Sequence, residues 1–205
     1  SKLSENGVAG FILANGALSG GGDEYKIRRK MVENNLVEAI LILPQDMFYT
    51  TNISVTVWIL NKNKKARTIQ HNGTIKKYRD REREVLFLDL REMGSPFEKK
   101  YTELTTEDIA KISGTYHNWQ QVGHDKTYAN VPEYCYSASF AEIKNKDFSL
   151  VPSKYIEFVN RDENIDFDEK MKSLQTDFAS LLKEEEKSRG DLLKVFKELG
   201  YEIKL

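Results

Sequence analysis

The sequence predicts an α/β fold, and three stretches carry that prediction. Leu36 to Leu43 (LVEAILIL) is a nearly all-apolar run, the pattern of a strand buried on both faces. Pro44 stops it, because proline has no amide hydrogen to give a ladder. Ile53 to Leu60, rich in β-branched residues around Trp58, reads as a second strand. Val8 to Ala14 (VAGFILA) reads as a third buried strand, separated from Leu36 by a helical segment. Strands joined through a helix run parallel with a right-handed crossover. The connection Gln45 to Asn52 is too short for a crossover, so the second run should return as the antiparallel arm of a hairpin.

Taken in order, the elements fit that frame. Asn15-Gly16 is a turn after the first strand. Asp23 is a good N-cap for a helix from Glu24 to Asn35, with Ile27, Met31 and Val32 near one face. The intervening Gly20-Gly21-Gly22 sits between a strand and a helix, as a phosphate loop does. It matches neither the dinucleotide nor the Walker spacing, no Lys-Ser/Thr comes after it, and Asp23 and Glu24 bring negative charge. It therefore reads as a flexible loop. Lys62 to Arg83 is strongly basic around the turn signal Asn72-Gly73, and is either a solvated loop or one that faces phosphate. Val85 to Leu90 returns to strand character and extends the same sheet. Thr105 caps a short helix, Asp108 to Ser113, with Asp108 three residues on as its capping partner. Gly114 to Trp119 reads as the end of that helix and an aromatic packing segment.

From Phe167 to Leu199 the apolar positions Met171, Leu174, Phe178, Leu181, Leu192, Val195 and Leu199 keep a three-four spacing. Glu185 and Ser188 fall in the same register, with Gly190 just beyond. The tail is thus one long helix with a weak polar centre or two helices meeting near Ser188 to Asp191. A short bundle hinged near Gly190 is favoured over a long zipper. A stripe this long needs a partner.

Composition excludes several classes. The net charge is −1 over 205 residues, with 40% hydrophobic and 31% charged, so the chain as a whole exerts no pull on nucleic acid or anionic membrane. The single Cys135 excludes an internal disulfide and fits a reducing, cytoplasmic setting. No apolar run approaches the length of a membrane span. His71, His117 and His124 have no metal-ligand spacing.

The segment GVAGFILANGALSGGGDEYKIRRKMVENNLVEAILILPQDMFYTTNISVTVWILNKNK resembles the second half of the catalytic domain of type I restriction–modification methyltransferase (modification) subunits. The pieces REVLFLDLREMG, LTTEDIAKISGTYHNW, VPEYCYSASFAEIK and FSLVPSKYI resemble the succeeding segments of that family, in the same order. The resemblance implies the C-terminal half of a Rossmann-like, S-adenosylmethionine-dependent sheet in residues 1–62, with parallel strands and a terminal antiparallel hairpin. It implies a family-specific α+β extension in 63–160 and a helical docking tail in 161–205. It also implies methyl transfer from S-adenosylmethionine to the exocyclic amine of adenine in DNA. The implied partners are a specificity subunit, a second modification subunit and a restriction subunit.

The family's glycine-rich cofactor fingerprint and its Asn/Asp-Pro-Pro-Tyr/Phe motif are absent. The expectation is therefore a C-terminal fragment, inactive alone, with no catalytic or cofactor-binding residues of its own. An adenine must be flipped out of the duplex to be methylated. The resemblance puts the stacking aromatic at Phe48, with its neighbour Tyr49 as substitute and Asn15 bordering the same pocket. Two further readings stay open: an assembly module for the specificity subunit without chemistry, and a free-standing nucleic-acid-binding domain using Lys62 to Arg83.

Overall fold

The computed structural model describes residues 2–71, 73–98, 100–159 and 167–201. Strand β1 (Val8–Ala14) leads through a 3-10 turn at Asn15–Leu18 into helix α1 (Gly22–Glu33). Strands β2 (Val37–Ile42) and β3 (Val55–Asn61) come next, then a two-stranded arm, β4 (Arg67–His71) and β5 (Thr74–Tyr78). The chain returns as β6 (Glu84–Asp89) and makes a small hairpin, β7 (Ser95–Phe97) and β8 (Tyr101–Glu103). It then forms α2 (Thr106–Gln120), β9 (Cys135–Ser139) and α3 (Phe140–Asn145).

Five strands make one sheet in the order β1-β3-β2-β6-β9. The β2–β3 hairpin is antiparallel and β6 joins β2 in parallel, both as the sequence predicts. β1 and β2 run in the same direction but are not neighbours, because β3 lies between them and pairs antiparallel with both. The register of β2 on β3 slips between Val37 and Ala39. The resulting bulge at Glu38 puts Val37 and Ile40 in one core layer and Ala39, Leu41 and Leu43 in the other. In the first layer Phe87 stacks on Tyr155 at 4.3 Å. In the second, Trp119 of α2 is wholly buried and donates from Nε1 to Ser137 Oγ at 2.8 Å.

Four expectations change. β1 is not buried: Val8 is 55% and Ile12 51% exposed, since it is an edge strand with one neighbour among the described residues. The N-cap of α1 is Gly21, and Asp23 lies inside the first turn, where its charge meets the positive end of the helix dipole. Ile27 faces out, while Arg28 and Val32 face in. The Thr105–Asp108 capping box forms, but α2 continues through Gly114 to Gln120. Packing of Ile112, Tyr116 and Trp119 on the sheet holds the helix beyond the glycine.

The basic stretch is not a loop, although β5 is exposed along most of its length. It is the β4–β5 arm, and two of its cations, Lys64 and Arg81, are buried at the base, while Arg79 pairs with Glu84 at 2.7 Å.

Residues 1–159 form one compact unit and 160–205 another. In the second, α4 (Phe167–Glu198) is a single helix of 32 residues that runs through Gly190 without a break. Its stripe is exposed, with Phe167 at 73% and Phe178 at 63%. Residues 160–166, which precede α4, lie outside the described residues. No helix among the described residues is long and apolar enough to cross a membrane.

Candidate functional site at the carboxyl edge of the sheet

β1, β2 and β6 point the same way, so Asn15, Leu43-Pro44 and Leu90-Arg91 all leave the sheet at one edge. In open α/β sheets this carboxyl edge is where ligands bind. Two clefts open along it, on either side of Arg91. The first, of about 340 Å³, is lined by Asn15, Leu18, Ile42, Asp89, Arg91 and Pro152. The second, of about 540 Å³, is lined by Pro44, Asp46, Arg91, Met93, Gly94 and Thr102.

Arg91 is fixed by a bidentate pair with Asp89: Nη2 donates to Oδ2 at 2.6 Å and Nε to Oδ1 at 2.9 Å. Hydrogen bonding to that carboxylate raises the Arg91 pKa and keeps the guanidinium charged. Asn15 opens the 3-10 turn, and its Oδ1 is buried with no hydrogen-bond partner. A buried acceptor left unpaired is costly and calls for a donor. The chemistry of this edge is one orphan acceptor, one fixed cation and its carboxylate. These groups do not make a nucleoside cradle by themselves, because the carboxylate is already taken by Arg91. Among the described residues no group of acidic, His or Cys side chains could hold a metal.

The structure brings Asn15 together with Asp89 and Arg91. It does not bring Phe48 and Tyr49 into either cleft. They stand on the connection beyond Pro44. Phe48 is half-buried against the second core layer, and its carbonyl accepts from Thr51 N at 3.4 Å. Tyr49 is 71% exposed and meets Tyr101 edge-on at 4.7 Å. The connection is held by Thr102 N, which donates to Asp46 O at 3.0 Å, and Asp46 itself adopts a positive φ of 59°. Asp89 and Arg91 escaped the reading of the sequence. The signal was present in LFLDLRE, an acidic residue closing an apolar strand, but only the sheet order shows that it faces Asn15.

A sheet of mixed strands with its open site at the carboxyl edge defines an α/β fold of the Rossmann-like methyltransferase kind. The chain belongs to the N-6 DNA Methylase family, whose model matches residues 1–164. It is 35% identical, over 98% of its length, to the type I restriction enzyme HindI methylase subunit of Haemophilus influenzae, and covers 42% of that protein. It is 31% identical, over 96% of its length, to the MjaIX methylase subunit of Methanocaldococcus jannaschii, and covers 33% of it. Among solved structures, the type I methyltransferase subunit from Streptococcus thermophilus superposes with a TM-score of 0.59 at 25% identity, over 75% of this chain and 27% of that one. The EcoKI M protein, at a TM-score of 0.51 and 16% identity over 77% of this chain and 36% of that one, shares the fold. The chain thus spans less than half the length of the relatives it matches.

Proposed function

We propose that this chain is the C-terminal half of the catalytic domain, with its extension and tail, of a type I DNA adenine methyltransferase subunit. The observation that carries the reading is the match to methylase subunits along 98% of the chain. Residues 1–62 carry the end of the catalytic domain, 63–160 the extension, whose strands β6 and β9 continue the same sheet, and 161–205 the docking tail. The open edge of β1 is where the rest of the sheet pairs. S-adenosylmethionine supplies the methyl group when bound to the complete subunit, and the fragment alone is inactive. The complete subunit acts in the cytoplasm with DNA, a specificity subunit, a second modification subunit and a restriction subunit.

The role of this half is to receive the flipped adenine. A base–aromatic stack contributes about 1–3 kcal/mol, and in this reading Phe48 or its exposed neighbour Tyr49 supplies it from the connection beyond β2, outside the two clefts. Asn15 Oδ1 is an acceptor without a donor, which suits an exocyclic amine. Replacing Phe48 and Tyr49 by Ala in the complete subunit should slow methylation at least about tenfold, the loss of roughly 1.4 kcal/mol. Cofactor affinity, measured by calorimetry, should hardly change. Unchanged methylation by the double variant would remove the stacking role.

A second reading has its own support. The exposed stripe of α4 suits an assembly module that binds the specificity subunit, with chemistry supplied elsewhere.

A further inference from the structure

The glycine run Gly20 to Gly22, whose spacing fits no nucleotide motif, lines a cleft of about 260 Å³ at the N-terminus of α1. Three cations from distant parts of the chain also line it: Arg28, Lys146 and Lys154. We propose that this cleft holds a phosphodiester of the target DNA strand, next to the nucleotide whose base is flipped. The proposal rests on the adenine-methyltransferase reading and deepens it.

Several observations point to an anion. No side chain caps the first turn of α1, so its leading amide hydrogens are free to point at a ligand. Gly21 and Gly22 leave open space above that backbone, and Gly22 sits at φ +61°. Beneath the loop, Arg28 is 3% exposed and has no carboxylate within ion-pair range among the described residues. Its guanidinium donates only to carbonyls, those of Phe148 at 2.9 Å, Ala17 at 3.1 Å and Gly20 at 3.0 Å. Ser149 also lines the cleft; it is 4% exposed, and its Oγ is buried with no hydrogen-bond partner. A buried hydroxyl of this kind lacks a ligand's oxygen.

Three carboxylates oppose an anion, of which Asp23, in the first turn of α1, is paired with Lys26 at 2.8 Å. Asp147 lines the cleft but accepts the Tyr25 hydroxyl at 2.8 Å. The Glu24 side chain lies over Gly20, against the same end of the helix. Three cations and a helix N-terminus outweigh Asp147, and Glu24 is a flexible competitor that a phosphate would displace.

The place of the cleft selects DNA as the source of phosphate. Ser19 lines both this cleft and the one holding Asn15, so the two adjoin at the same sheet edge. A strand that puts its base at Asn15 carries its own backbone past Ser19.

The test uses the complete subunit with its specificity subunit and a duplex carrying methylphosphonates around the target adenine. In the unaltered complex, one neutralised phosphate should weaken binding. Lys146→Ala with Lys154→Ala, both substitutions of surface side chains, should flatten the slope of log affinity against log salt by about 1, for the one phosphate the cleft neutralises. The same methylphosphonate should then do no further harm. Glu24→Gln should tighten binding, an effect that a purely structural role would not produce. An unchanged salt slope in the double variant overturns the proposal. So does phosphorus NMR showing that the cleft takes free inorganic phosphate while DNA binding is untouched. If Phe48→Ala slows methylation but the lysines leave the slope alone, only the phosphate cleft is wrong. If the unaltered complex does not methylate DNA, the parent reading fails instead.

Discussion

Glu38 looks out of place in LVEAILIL, and its neighbours explain it. The bulge in β2 turns its carboxylate toward Arg81, whose Nε donates to Oε1 at 3.0 Å, and both side chains are fully buried. Gln120 Nε2 donates to the same oxygen at 3.1 Å, and Lys64 Nζ donates to the carbonyls of Val37 and Glu84 at 2.9 and 2.6 Å. This cluster ties the base of the β4–β5 arm to the sheet and to α2. Removing one partner leaves a buried charge unpaired, so Arg81→Met should lower the free energy of unfolding by about 3–5 kcal/mol in urea titration. Combining it with Glu38→Leu should recover much of that loss.

Lys64 adds a pH dependence. Burial, which outweighs the attraction of Glu38, lowers its pKa from 10.5 to about 8. Below pH 8 the amine is charged in both states. Between about 8 and 10.5 the unfolded chain keeps a proton that the folded chain has shed, so stability rises with pH through that window. The full effect is roughly 3 kcal/mol. It is opposed near pH 9 by Cys135 and above pH 10 by Tyr116, Tyr128 and Tyr155, whose pKa values are all raised by burial, so the climb is the surplus of Lys64 over Cys135. Denaturant midpoints from pH 7.5 to 9.5 should climb, and Lys64→Met should flatten the climb. None of this cluster was legible as such: Glu38 sat in an apolar run and its cations in a stretch that composition alone marks as solvated.

At the scale of elements, the strands and the Thr105 cap were read correctly, while the cap and inner face of α1 and the helix endings were not. β2, β3, β6 and the Thr105 capping box arise from local pattern alone. The ends of α2 and the course of α4 do not, because a glycine lowers helix propensity by only about 1 kcal/mol, less than packing or flanking turns supply. Gly190 shows this plainly. It lies inside α4, and a Cβ there would meet nothing within 4 Å. Gly190→Ala should therefore stabilise the helix by about 0.5–1 kcal/mol, seen as higher ellipticity at 222 nm and a higher melting temperature. A hinge at that position would give the opposite result. β1 shows the complementary error. Its apolar sequence predicts burial, yet the strand is an open edge, and such edges associate. This chain should self-associate with concentration, and Ile12→Lys should suppress this in light scattering.

For the whole molecule, the sheet could be read from strands and connection lengths, but its order could not. The insertion of β3 between β1 and β2 depends on pairings that no local pattern encodes. The same limit applied to the site, since Asn15 and Asp89 line one cleft only through that order. The chain divides into two units, and the described residues of the second are almost entirely α4. Its large apolar side chains are exposed along its length, including Leu174, Leu181, Leu192 and Val195. Each such side chain contributes about 1.5–3 kcal/mol when fully buried, and a helix without tertiary packing is marginal in water. The stripe therefore stabilises an assembly better than it stabilises this chain alone. In the complete subunit, ending the chain at residue 159 should leave the catalytic body folded, with an unchanged urea midpoint for its transition. Co-purification with the specificity subunit should be lost. Single Phe178→Asp and Leu192→Asp substitutions should each weaken that association at least about tenfold, since each buries a charge where an apolar contact stood. Assembly with unchanged affinity by the shortened subunit would show that the stripe docks elsewhere.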